Sequence, residues 1–161
     1  HSDIDHLLKL SKAKMKEGYD YVVCLLDMDR LNSVPAEMKK YQVFKNRKEN
    51  KGIMFIETNP CTEFWFLLHF LPTLQVKHYT SYEQLLPELQ RYMPGYEKTK
   101  KYFVRTKLYD FLVRYGNLDN AKKNGEALSE LAALHPEDRI AYSQVTKVLR
   151  LLEHLKSENI R

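Results

Sequence analysis

The sequence predicts an α/β fold: a parallel sheet core followed by a helical C-terminal layer. Three observations carry that prediction. Two apolar runs of strand length, residues 21–26 and 52–57, alternate with helical stretches, and such alternation implies right-handed crossovers and a parallel sheet. Strand signals then disappear beyond residue 80, where the sequence reads as helices. The chain of 161 residues is 43% hydrophobic, which suits one domain with a real core and excludes a disordered chain.

The elements follow in order. Residues 3–17 place Ile4, Leu7, Leu8 and Met15 among lysines at amphipathic helical spacing, and Gly18 ends that helix. Residues 21–26 form a buried strand. Val34-Pro35 opens a second helix that runs through Met38, Tyr41, Val43 and Phe44 towards Asn50. Gly52 to Glu57 is a second buried strand, and Thr58-Asn59-Pro60 turns out of it, with Pro60 acceptable in a helix's first turn. The aromatic-rich segment 61–70 is helical and stops before Pro72. Two strands make a poor sheet, so either residues 74–79 add a short strand or strands upstream are missing. Residues 81–92 are helical, Met93-Pro94-Gly95-Tyr96 breaks them, and three further helices cover 106–115, 118–134 and 143–156. The expected division is an α/β core over 1–80 with a helical region over 81–161 packed on it.

Composition narrows the function classes. No apolar run approaches the ~20 residues of a membrane span, so no membrane role is expected. Cys24 and Cys61 lie in apolar surroundings without metal-ligand spacing, as buried free thiols of a reducing compartment do; the cytoplasm is the expected location. A net charge of +5 permits an acidic partner without requiring one. Lys98, Lys100, Lys101, Arg105 and Lys107 are interleaved with Tyr96, Tyr102 and Phe103. Such a mixture grips phosphates and stacks bases, although it is also what a solvated helix face looks like. The chain opens on His1-Ser2 with no signal pattern, which reads as a tag remnant or as a fragment lacking its natural beginning.

The chemistry gathers where the strands end. The first apolar strand stops at Asp27-Met28-Asp29-Arg30, and ligand sites of parallel α/β sheets form at the carboxyl ends of strands. Two carboxylates there suit Mg²⁺, which takes one or two carboxylates plus substrate phosphates; capping or turn formation is the structural alternative. The second strand leads into Asn59-Pro60-Cys61-Thr62-Glu63. Glu63 in a helix's first turn complements the helix dipole, and Asn59 serves either a turn or a ligand. His69, on an apolar helix, reads as a satisfied core histidine.

Together these residues carry a resemblance. Leu26-Asp27-Met28-Asp29-Arg30, followed by Asn59-Pro60-Cys61-Thr62-Glu63-Phe64-Trp65-Phe66-Leu67-Leu68-His69-Phe70, resembles the RloB-like family. That family carries an Asn-Pro-Cys-Phe-Glu-hydrophobic-Trp-Leu-Leu-Leu-His-Phe signature, and Thr62 replaces its usual Phe. Asn120-Ala121-Lys122-Lys123 and Tyr142-Ser143-Gln144-Val145 resemble its C-terminal motifs more weakly. The resemblance implies a Toprim-like core that lacks its N-terminal strands and acts as a Mg²⁺- or Mn²⁺-dependent nuclease on nucleic acid phosphodiesters in bacterial restriction-modification and phage defence. It implies Asp27 and Asp29 as metal ligands, with an earlier glutamate on a strand before residue 1. Asp27, Asp29 and Glu63 are then the candidate catalytic residues, and Asn59, Arg30, Lys98, Lys100 and Lys101 the candidate substrate contacts.

Two other readings compete. Hydrophobic-Asp-x-Asp also opens the motif of haloacid-dehalogenase-like phosphatases, but Leu31 stands where Thr or Val is expected and no downstream acidic pair follows a strand. The non-enzymatic alternative is a nucleic-acid-binding or assembly module of a defence complex, working with other defence-system proteins, its acidic edge merely structural.

Overall fold

The computed structural model of the chain describes residues 3–159; His1 and Ser2, where the tag or break was read, lie outside them. Helix α1 (Ile4–Lys16) starts at Asp3, whose side chain accepts a bond from Asp5 N, and ends with Lys14 and Lys16 in its last turn. Acceptors at a helix start and cations at its end both complement the dipole. Gly18 follows at φ +91°, a conformation that favours glycine. Strand β1 (Val22–Asp27), α2 (Met28–Ser33), α3 (Pro35–Asn46) and β2 (Ile53–Asn59) come next. The short α2 was not anticipated; Met28 and Leu31 anchor it in the core.

Strands β1 and β2 pair in parallel, with Val22 opposite Ile53 and Asp27 opposite Thr58. Both apolar runs therefore end on one sheet edge, as their polar exits predicted. After β2 the Asn59–Pro60 peptide is cis, and α4 (Glu63–Leu68) begins beyond it. Pro60 thus sits in the bend and not in the helix's first turn. Helices α5 (Tyr82–Tyr92), α6 (Lys100–Thr106), α7 (Leu108–Tyr115) and α8 (Leu118–Leu134) follow, then β3 (Tyr142–Ser143) and α9 (Val145–Asn159).

The sheet is mixed, not wholly parallel, and has the order β1-β2-β3. Its third strand comes from the C-terminal half, pairing antiparallel with Thr58 opposite Ser143 and Asn59 opposite Tyr142. Strand character therefore does not end at residue 80. Gln144 prolongs the pairing: its N–H donates to Glu57 O at 2.9 Å, and its side-chain oxygen accepts Glu57 N–H at 3.0 Å. The segment 74–79 forms no strand; its Lys77 carbonyl accepts Ala141 N–H at 2.7 Å and holds the approach to β3. Among the described residues no strand pairs with the outer edge of β1, where Leu25 is 49% exposed.

Two buried clusters flank these elements. One joins Ile4 and Leu8 of α1 to Cys24, Leu26, Tyr41 and Phe55. The other surrounds α4, whose Phe64, Trp65, Leu67 and Leu68 pack with Leu85, Leu89, Met93, Tyr96 and Leu128. Each such side chain contributes about 1.5–3 kcal/mol of burial. His69 is a satisfied core histidine, its Nδ1 2.8 Å from Trp65 O, and burial lowers its pKa. Gly116 lets the start of α8 approach it, since a Cβ there would lie 2.7 Å from His69 Cβ. Cys24 and Cys61 are buried free thiols. Among the described residues no helix is long and apolar enough to cross a membrane.

Candidate functional site

Asp27 is the last residue of β1, and its carboxylate is divided between two tasks. Oδ1 accepts bonds from Thr62 N and Thr62 Oγ1, both at 2.9 Å, with Thr58 Oγ1 at 3.3 Å. Thr62 is thus the residue that pins Asp27. Oδ2 faces Lys98 Nζ at 3.3 Å.

Glu63 opens α4 beside it and is 3% exposed through its side chain. Its Oε1 accepts the Tyr96 hydroxyl at 3.0 Å and lies 3.5 Å from Lys98 Nζ. Its Oε2 is buried without a partner among the described residues. A buried carboxylate oxygen left unpaired is costly, and this atom is able to take a ligand. Lys98 completes the group from the segment before α6, with Nζ 5.4 Å from the Tyr82 ring centre. Burial alone would lower the Lys98 pKa, but the charges of Glu63 and Asp27 outweigh it and hold the ammonium above its usual range.

The other expected residues are placed differently. Because α2 begins at Met28, Asp29 leaves the strand direction, and its Oδ1 accepts its neighbour Arg30 N at 2.7 Å. Burial raises the Asp29 pKa, and the nearby Asp27 charge adds to the rise. Arg30 is engaged by Glu37 through two bonds of 2.9 and 2.7 Å. Asn59 is buried with both amide ends used, Oδ1 accepting Asn32 Nδ2 and Nδ2 donating to Ile140 O, each at 3.0 Å. Lys100 and Lys101 are exposed in the first turn of α6. The structure therefore brings Asp27, Glu63 and Lys98 together, and leaves Asp29, Arg30 and Asn59 bonded elsewhere.

The donor set fits a hard cation in charge and falls short in number. Two carboxylates converge on one positive charge, and an acceptor oxygen lies orphaned beside them. Asp29 does not join them: among the described residues, the one set of three acidic, His or Cys residues whose ligand atoms lie within 4.8 Å of one another is the exposed His135, Glu137 and Asp138.

Residues 1–155 match the family model described as RloB-like protein. The chain belongs to the RloB-like family. Comparison with curated proteins and with solved structures finds no match. The residues at the strand ends of this RloB-like chain are thus read from their own geometry.

Two participants were not legible beforehand. Tyr96, which in sequence is one aromatic of a lysine-rich run, is the hydroxyl donor to Glu63. A second carboxylate group, around Glu57, was missed altogether. The Tyr41 hydroxyl donates to Glu57 Oε2, the Tyr142 hydroxyl donates to Oε1 at 2.8 Å, and Lys45 Nζ lies 3.3 Å from Oε2. Its donors come from α3 and β3, far apart in sequence, and the one early signal was a polar residue inside an apolar run.

Proposed function

We propose that this RloB-like chain carries a Mg²⁺- or Mn²⁺-dependent nuclease site for nucleic acid phosphodiesters, serving bacterial defence, with Asp27, Glu63 and Lys98 at its centre. The observation that carries it is the buried Glu63, whose Oε2 has no partner among the described residues while its Oε1 shares the Lys98 ammonium with Asp27. Asp27 and Glu63 would hold the ion, which when bound supplies charge stabilisation to a transferring phosphoryl group. Thr62 and Tyr96 keep the two carboxylates in place before any ligand arrives, as bonds to metal-binding side chains do. Lys98 is half exposed and free to exchange its carboxylate contacts for a phosphate oxygen. Lys100 and Lys101 follow on the same helix start and give sequence-independent, salt-sensitive attraction to the backbone. In the Toprim-like reading one more carboxylate, a glutamate on a further strand, completes the site, and the unpaired edge of β1 is where that strand would pair.

The test is cleavage of plasmid and oligonucleotide with Mn²⁺, alongside calorimetric Mn²⁺ titration. The expected result is metal binding that Asp27→Ala or Glu63→Gln weakens at least tenfold, with Asp29→Ala weaker in effect. Cleavage unaffected by Asp27→Ala and Glu63→Gln would end this reading.

A second reading is favoured by one observation, the Lys98 ammonium already between the carboxylates. The chain would then be a non-catalytic nucleic-acid-binding or assembly module working with defence-system partners. Metal-independent nucleic acid binding that falls steeply with salt, without cleavage, is its signature.

A further inference from the structure

A cavity of about 640 Å³ opens beside the sheet, between α2, α3 and the turn leading into β3. Small-molecule sites span roughly 300–1,000 Å³. Asp29 and Asn59 line it but Asp27, Glu63 and Lys98 do not, so it adjoins the site described above without sharing its central residues.

The cavity carries both charge signs in its lining. Glu57 lines it, 14% exposed, as a carboxylate already fixed by Tyr41, Tyr142 and Lys45. Burial alone would raise the Glu57 pKa, but bonds from the two tyrosines and the Lys45 charge outweigh that and hold it below the usual carboxylate range. A carboxylate offers about four lone-pair positions, so an ionised acceptor remains for a donor on a ligand. Lys45 and Arg139 supply the opposite charge. Arg139 sits at φ +50° after a short 3₁₀ turn, Pro136–Asp138, and its guanidinium is in no ion pair among the described residues. Positive φ is uncommon for a non-glycine residue. The surroundings hold the backbone there, through His78 Nδ1 against Asp138 O at 2.9 Å and the Ala141-to-Lys77 bond. Met28, Met38 and Tyr79 give the cavity an apolar wall.

We propose that this cavity binds a nucleotide, its base and sugar towards Glu57 and its phosphate at Arg139. A fixed negative wall rejects an anion and accepts hydrogen-bond donors, which nucleobase amino groups and ribose hydroxyls provide. Arg139 takes the phosphate by charge-assisted bonds. The apolar wall needs a flat apolar body between those ends, which a simple sugar phosphate lacks. The nucleotide is either free or one residue of a strand.

The experiment is calorimetric titration of the full chain with AMP, GMP, CMP and UMP, their nucleosides, and ribose 5-phosphate. Saturable one-to-one binding of at least one mononucleotide is expected, with ribose 5-phosphate far weaker. Arg139→Ala should weaken the mononucleotide roughly tenfold and leave its nucleoside unchanged, as loss of a phosphate contact requires. Glu57→Gln should weaken both; should that variant not fold, the exposed Arg139 carries the test alone. A 5′-phosphorylated oligonucleotide that displaces the mononucleotide identifies a strand residue as the source, and one that does not identifies the free nucleotide. Absence of saturable binding, ribose 5-phosphate binding as tightly, or an Arg139→Ala variant that binds mononucleotide normally would each overturn the proposal. Binding that persists in Asp27→Asn separates its outcome from that of the nuclease reading.

Discussion

Glu57 is partly and Glu63 fully buried, both take a tyrosine hydroxyl and both face a lysine, yet they are finished differently. Glu57 has a partner on each oxygen, supplied by Tyr41, Tyr142 and Lys45. Glu63 has Tyr96 and Lys98 on one oxygen and, among the described residues, no hydrogen-bond partner on the other. A satisfied buried carboxylate locks the elements that satisfy it, here α3 and β3 onto β2. An unsatisfied one stores an unfavourable desolvation term that a ligand can relieve. The difference makes Glu57 an acceptor held in place by the architecture, and leaves Glu63 an oxygen that no protein group holds among the described residues.

Stability measurements can break that comparison, and here the largest effect is expected. Glu57→Ala strands two tyrosine hydroxyls and loosens β3, and should cost about 3 kcal/mol, at about 1–3 kcal/mol for each unsatisfied buried group. Glu63→Gln removes a charge whose second oxygen had no partner, and should change stability by less than about 1 kcal/mol. Urea unfolding of the two variants checks this. Equal losses would show that Glu63 is as structural as Glu57.

The comparison also shows what the sequence could and could not reveal. β1 and β2 were legible because each is an apolar run of strand length with a polar exit. β3 was not, because Tyr142–Ser143 is two residues long and owes its pairing to Thr58 and Asn59, not to any local pattern. Helix α6 was hidden in a lysine-rich run; its start is marked by Thr99, whose hydroxyl accepts Tyr102 N–H, and Lys107 at φ +51° separates it from α7. Of the candidate site, Asp27, Glu63 and Lys98 were named from sequence, but Lys98 was expected on a phosphate and lies on the two carboxylates. Sequence spacing carries no information about a contact 71 residues away. The Glu57 group fails to show for the same reason, since Tyr142 is 85 residues from its acceptor.

Lys98 gives a prediction of intermediate size that sharpens the contrast on the Glu63 side. Lys98→Met removes the ammonium and leaves Asp27 and Glu63 facing one another without a countercharge. The metal-free variant should melt below the wild type, and Mn²⁺ should raise its melting temperature by more than it raises the wild type's, because the ion no longer competes with a resident cation. The partly exposed ion pairs of Lys98 are screened by solvent, so the metal-free loss is about 1 kcal/mol or less. Thermal melts of both proteins with and without Mn²⁺ decide it. A variant as indifferent to Mn²⁺ as to Na⁺ would remove the cation site.

The smallest effect expected is the acid dependence of Glu57, which tests the same contrast through protons. Its pKa is held below the ordinary value of 4.5, with Tyr41, Tyr142 and Lys45 outweighing burial. The folded state therefore binds that proton less readily than the unfolded chain. Stability from the ionised carboxylate is fully present above the unfolded value and is lost as pH falls through the lower folded one. Glu57→Gln lacks the titration, so the stability gap between wild type and variant should be constant above about pH 5 and shrink steadily below it. Urea unfolding at a series of pH values measures the gap. A gap that stays constant into strong acid would mean that folding does not lower the Glu57 pKa, and that the carboxylate's charge adds nothing to its bonds with the tyrosines.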